Sequence, residues 1–132
     1  MARRYSDPSA PLAAPRHEPA VSAEPLSPER AAAHLRDMAA DVRTAVLVRP
    51  DGRPAGREEH AGELAGLTGE LLDAVDGALR GERTDQVEAH TERGSVYAVR
   101  RDGWTLAAVA RRSALSSLMF CDLRATLERV ER

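Results

Sequence analysis

GSVYAVRRDGWTLAAVA (residues 94–110) is the stretch whose reading decides the fold. Asp102-Gly103 is a strong two-residue hairpin signal, because both residue types accept the positive φ angles that such turns require. A tight turn there predicts strands from Ser95 to Arg101 and from Trp104 to Arg111. In that register Arg101 faces Trp104, Val99 faces Leu106, Tyr97 faces Ala108 and Gly94 faces Arg111. Successive side chains of a strand point to opposite faces. One face then carries Tyr97, Val99, Leu106 and Ala108, and the other Val96, Ala98, Ala107 and Val109. Both faces are apolar, so the sheet must be covered on both sides.

A cover for one face stands just upstream in AGELAGLTGELLDAVDGALR (residues 61–80). Leu64, Leu67, Leu71, Val75 and Ala78 recur at helical spacings of three and four. Ala61, Ala65, Thr68, Leu72 and Leu79 form a second row beside them, and the two rows make an apolar arc roughly 160° wide. Gly62, Gly66, Gly69 and Gly77 project on the other side with Asp73 and Asp76. Each interior glycine costs about 1 kcal/mol relative to alanine, so this helix depends on tertiary support. Gly81 is placed to serve as a left-handed C-terminal cap.

The rest of the chain supplies the remaining elements. Ser27-Pro28-Glu29 reads as a helix start, with serine at the N-cap and proline at the first helical position. That helix is expected to run to about Ala40 and to bury Leu35 and Met38. Val42 to Val48 (VRTAVLV) reads as a strand and Pro50-Asp51-Gly52 as a turn. A strand from about Arg53 to Glu58 contains Pro54, which confines it to a sheet edge. Thr84 to Thr91 is a further strand, and Ser113 to about Glu131 a helix burying Met119, Phe120, Leu123, Leu127 and Val130. The order α-β-β-α-β-β-β-α predicts an α/β (α+β) domain over residues 27–132. Its five-stranded antiparallel sheet has the middle helix on one face and the two terminal helices on the other. Residues 1–26, with five prolines and no apolar period, are expected to be a Pro/Ala-rich disordered tail.

Bulk properties exclude several classes. The chain has 132 residues, 42% hydrophobic and 30% charged, with a net charge of −2, so no basic field argues for nucleic acid. Every basic residue is arginine, and Lys, Ile and Asn are absent, a pattern read as the codon bias of a GC-rich genome. Cys121 stands alone, which excludes an intrachain disulfide and a cysteine zinc site. No apolar core follows Arg3-Arg4, and the longest uncharged run, Ser113 to Cys121, is too short to span a bilayer. The expected location is the cytoplasm, without membrane insertion.

Catalytic chemistry finds little support. Without lysine the phosphate-loop pattern cannot occur, and Gly62, Gly66 and Gly69 lie inside a helical pattern instead of at its start. His17, His34, His60 and His90 are isolated; His60 with Glu63 is the nearest approach to a metal-binding pair. Ser113, Ser116 and Ser117 have no His–acid context, and Cys121 beside Phe120 reads as a small buried hydrophobe. No catalytic residue, metal or cofactor is expected. Two surfaces stand out instead. The hairpin register sets Arg93 opposite Arg112 with Arg111 adjacent, a candidate docking site for an acidic partner or a set of solubilising strand-end charges. The glycine side of residues 61–80 also has two readings. It is a close helix–helix interface in which Asp73 and Asp76 of one subunit meet Arg80 of the other, or it is glycine supplied by codon bias.

The order of elements resembles the roadblock domain, named for a dynein light chain and common in bacteria beside small Ras-like GTPases. The resemblance rests on VRTAVLVRPDGRPAG (Val42–Gly56), AGELAGLTGELLDAV (Ala61–Val75) and GSVYAVRRDGWTLAAVA (Gly94–Ala110), and spans residues 27–132. It implies homodimers that join sheets edge to edge and pack their middle helices together, here with Gly62, Gly66, Gly69, Asp73, Asp76 and Arg80 as candidate contacts. It also implies binding of a small Ras-like GTPase as adaptor or regulator, with Arg93, Arg111 and Arg112 as candidate docking residues. A non-enzymatic homodimeric adaptor is therefore the expected function. The alternative is a small-molecule-sensing or general protein-interaction domain with no GTPase partner.

Overall fold

Helix α1 (Pro28–Met38) begins where Ser27 is extended and Pro28 takes the first helical position. The structure, a computed structural model, describes residues 24–132. The further elements are β1 (Val42–Val48), β2 (Pro54–Ala55), α2 (Ala61–Ala78), β3 (Gln86–His90), β4 (Ser95–Arg101), β5 (Trp104–Ala110) and α3 (Ser116–Arg129). The five strands lie in the order β2-β1-β5-β4-β3, and every neighbouring pair is antiparallel.

The β4–β5 hairpin forms in the expected register, with Arg101 on Trp104, Val99 on Leu106 and Tyr97 on Ala108. Asp102 and Gly103 both have positive φ, 53° and 86°, as a mirror-image two-residue turn demands. The two apolar faces are covered as the alternation requires. Helices α1 and α3 bury Ala31, Ala32, Leu35, Leu123 and Leu127 against Leu47, Tyr97, Val99, Leu106 and Ala108. On the reverse face Ala61, Leu64 and Ala65 of α2 pack on Val46, Ala98 and Ala107.

Several boundaries differ from expectation for local reasons. β2 has two residues, not six: Gly56 turns away with φ +84°, and a Cβ there would stand 2.9 Å from the Glu29 carbonyl oxygen. β3 is shorter at both ends. The Thr84 N–H is taken by Asp76 and the Thr91 N–H by the Gly94 carbonyl. α1 stops at Met38, which is 46% exposed, while the extended Ala39 is buried in its place. α3 starts at Ser116 because residues 111–114 form a turn in which Ala114 donates to the Arg111 carbonyl.

The domain also begins earlier than Ser27. The Leu26 N–H donates to the Arg129 carbonyl and the Glu131 N–H to the Leu26 carbonyl, each at 2.8 Å, so the two ends of the domain are tied together. Arg129 reinforces the tie, donating from Nε to the Glu24 carbonyl and from Nη1 to His34 Nε2. Burial, with Arg129 alongside, lowers the His34 pKa, which suits an imidazole nitrogen that accepts. The remainder of the expected tail, residues 1–23, lies outside the described residues.

Helix α2 is turned differently from the two-row reading. Ala61, Leu64, Ala65, Thr68 and Leu72 are buried, Leu71 and Val75 are half-buried, and Leu67 is 64% exposed. The small second row faces the sheet because alanine and threonine let the helix approach closely. Leu67 and Ala78 of the first row are left on the outer flank. At the C-terminus the Gly81 N–H reaches the Asp76 carbonyl (2.8 Å) and the Arg80 N–H the Gly77 carbonyl (3.1 Å). That bonding pattern places Arg80, with φ 61°, at the first left-handed position, and Gly81, with φ 90°, is left-handed after it as expected.

Candidate functional site

Self-association and docking have three surfaces available, each positioned by the sheet. The first is an edge. Among the described residues β3 pairs only with β4, so its outer side presents unpaired backbone groups over Gln86–His90. At one end of this edge Glu88 accepts from Ser116 Oγ (2.8 Å) and also bonds His90, whose Nδ1 meets Ser95 Oγ at 2.6 Å. The Ser116 and His90 bonds together hold the Glu88 carboxyl below its ordinary pKa. His90 and Ser116, expected to be isolated, thus share a network that ties β3 to α3.

The second surface is the outside of α2. Its two flanks are chemically distinct. At about 100° per residue, Leu67, Ala74 and Ala78 share one flank, while Gly62, Gly66, Gly69 and Asp73 share the opposite one. All of these residues are exposed, and a Cβ added at Gly62, Gly66 or Gly69 would meet nothing within 4 Å.

One of the residues expected on this interface is committed within the chain. Asp76 is turned towards the sheet and holds Arg100 of β4 through both carboxylate oxygens, each at 2.9 Å, while Oδ1 also accepts from the Thr84 N–H. Arg80 caps the helix through its backbone, and its side chain is exposed. Asp76, bound to Arg100, is not free to form the intersubunit ion pair expected of it. Hydrogen bonding by Thr84 and by the Arg100 guanidinium lowers the Asp76 pKa from 3.8 to about 2. A depressed carboxyl stabilises the fold above its unfolded pKa, and the contribution is lost as pH falls through the folded one. The stability gap between the native chain and Asp76→Asn should therefore narrow between pH 3.8 and about 2 in acid-unfolding curves. A gap that stays constant across that window would contradict the pairing.

The third surface is the arginine cluster. Ser95 pairs with Ala110, so Arg93 in the preceding turn and Arg111 and Arg112 beyond β5 come to the same end of the sheet, all exposed. The structure adds Arg43 of β1, whose Nη1 donates to the Arg93 carbonyl at 3.3 Å. Arg43 was not legible as a member because it arrives through the β1–β5 pairing, a neighbourhood no local pattern announces. Among the described residues no carboxylate stands within salt-bridge distance of these four arginines.

His60 is exposed at the start of α2 with positive φ, and its Nδ1 lies 2.7 Å from Glu63 Oε1. The Glu63 hydrogen bond raises the His60 pKa, as an exposed ion pair at a helix start would. Among the described residues no three His, Cys, Asp or Glu side chains gather as a metal site would require. Cys121 is exposed, not buried as expected, because it lies on the outer side of α3. No described helix is long and apolar enough to cross a membrane.

No family model and no curated protein matches the chain. Solved structures do match it. The roadblock/LC7 domain from Streptomyces avermitilis is 18% identical with a TM-score of 0.64, over 80% of this chain and 93% of that one. The gliding protein MglB from Thermus thermophilus is 20% identical with a TM-score of 0.61, over 93% and 94%. MglB from Myxococcus xanthus is 14% identical with a TM-score of 0.61, over 76% and 89%. The likeness is one of fold: the chain folds as a bacterial roadblock domain does.

Proposed function

We propose that this chain is a non-enzymatic, cytoplasmic, homodimeric adaptor that binds a small Ras-like GTPase and scaffolds or modulates its nucleotide cycle. The observation that carries the reading is the β3 edge, unpaired among the described residues, together with the exposed Leu67 on the outer side of α2. An unpaired edge of five residues is a template for a second strand, and a two-fold pairing of β3 with itself would extend the sheet across two subunits. The Leu67 flank of α2 would supply apolar area to the same contact. The GTPase is inferred from the roadblock architecture, and the gliding protein MglB shares that architecture.

The arginine cluster suits the docking of an acidic protein surface. Four guanidinium groups at one end of the sheet, none in an ion pair among the described residues, would steer an oppositely charged partner and fix its register. The chain offers no motif for phosphoryl transfer by itself, so it would act by positioning the GTPase. Affinity capture of the tagged chain from its own cells tests the reading. A small Ras-like GTPase is expected to co-purify in low salt; recovery of no such GTPase above a tag-only control would end the proposal.

A further inference from the structure

The arginine-bearing end of the sheet also gathers exposed apolar side chains. Val42 pairs with Ala110 there, so β1 leaves α1 and β5 leads to α3 at the same end. Met38 closes α1 just before that pair, and Leu115 opens α3 just after it. Met38, Leu115 and Leu118 are 46%, 68% and 55% exposed. Among the described residues the other large hydrophobic side chains left so exposed, Leu67 and Leu79, belong to α2 and its cap, across the sheet. Leu115 and Leu118 share one flank of α3, while Met119, Leu123 and Leu127 take its buried side. The acid on that flank, Asp122, is half-buried a turn farther along. The segment is held firmly. Ala114 packs on the core, and its N–H donates to the Arg111 carbonyl.

We infer that Leu115 and Leu118 are the apolar anchors of a docking surface whose rim is Arg43, Arg93, Arg111 and Arg112. The partner it fits is a protein that presents an apolar pocket bordered by acidic side chains. Given the GTPase docking proposed above, on which this rests, the leucines add the contact that excludes water. Exposed charges chiefly set the encounter rate and the salt dependence, whereas an apolar centre inside a polar rim is the usual anatomy of a protein interface. The charge of the rim decides the occupant. A second copy of the chain is disfavoured, because a two-fold contact here would bring its arginines against the same arginines.

The co-purified GTPase is titrated onto the native chain and onto Leu115→Gln with Leu118→Gln, over a range of salt. Glutamine keeps the helix propensity of leucine, so the variant should melt as the native chain does. Its affinity is expected to fall at least about tenfold, as loss of buried apolar area requires. The slope of affinity against salt should stay that of the native chain, because no charge has been removed. A variant that binds as tightly as the native chain would overturn the anchors and leave the GTPase docking standing. Capture of no GTPase would remove both. A flattened salt slope would also overturn the anchors, since it would mean that the arginines had been disturbed. Sedimentation of the native chain, but not the variant, with vesicles of phosphatidylserine and phosphatidylcholine would give this face to lipid and overturn them too.

Discussion

Replacing Gly66 and Gly69 together by alanine is expected to stabilise the domain by about 2 kcal/mol, the sum of two interior glycine penalties. For a domain of this size the melting temperature should rise by roughly 8–16 °C. The physical case is that nothing opposes the change. Both residues are in α2, neither has a positive φ, and the added methyl groups meet no atom within 4 Å. The unfolded chain loses freedom, the helix loses none of its contacts, and the two effects have the same sign. Thermal unfolding followed by circular dichroism measures the result. An unchanged or lowered melting temperature would mean that something in solution seats against those glycines and resents the methyl groups.

The second large effect concerns association. In a two-fold contact each subunit contributes its own Leu67, so a single substitution acts twice. Burial of the exposed area of two leucines contributes about 2–4 kcal/mol. Leu67→Arg removes that and opposes two like charges, which should weaken the dimer by roughly a hundredfold or more. Gly66→Arg, on the other flank, should leave association intact. Light scattering separates the cases. Leu67→Arg is expected at the 14.3 kDa of one chain, and both the native protein and Gly66→Arg at twice that mass. The reverse pattern would return the interface to the glycine flank.

What was legible in the sequence was whatever short-range geometry decides. Asp102-Gly103 sets the hairpin register, and that register makes both sheet faces apolar and so demands helices on both. The α2 boundaries followed from period and caps in the same way. Less legible were features set by close tertiary approach. An arc roughly 160° wide does not say which of its edges faces the sheet. Ala61 and Ala65 do so because they are small, and Leu67 is displaced outward as a result. The length of β2 depends on how near Gly56 comes to Glu29.

The candidate surfaces divide along the same line. Arg93, Arg111 and Arg112 were visible from the hairpin register, whereas Arg43 joins them through a strand distant in sequence. Asp76 looked like a free acid on a glycine-rich face. Its partner Arg100 is 24 residues away, and only the packing of α2 on β4 brings the two together. Thr68 read as one position of an apolar row, and only the packed structure shows that its hydroxyl is buried without a partner.

The central claim, an adaptor that docks a small GTPase through its basic sheet end, is tested most directly by one binding measurement. The co-purified GTPase is titrated onto the native chain and onto a variant with Arg93, Arg111 and Arg112 replaced by Ser, in low and in high salt. The native affinity is expected to fall about tenfold or more as salt rises through the range where exposed charges are screened. The variant should bind weakly at low salt and respond little to added salt. A native affinity indifferent to salt, or a variant that binds as tightly as the native chain at low salt, would contradict the account.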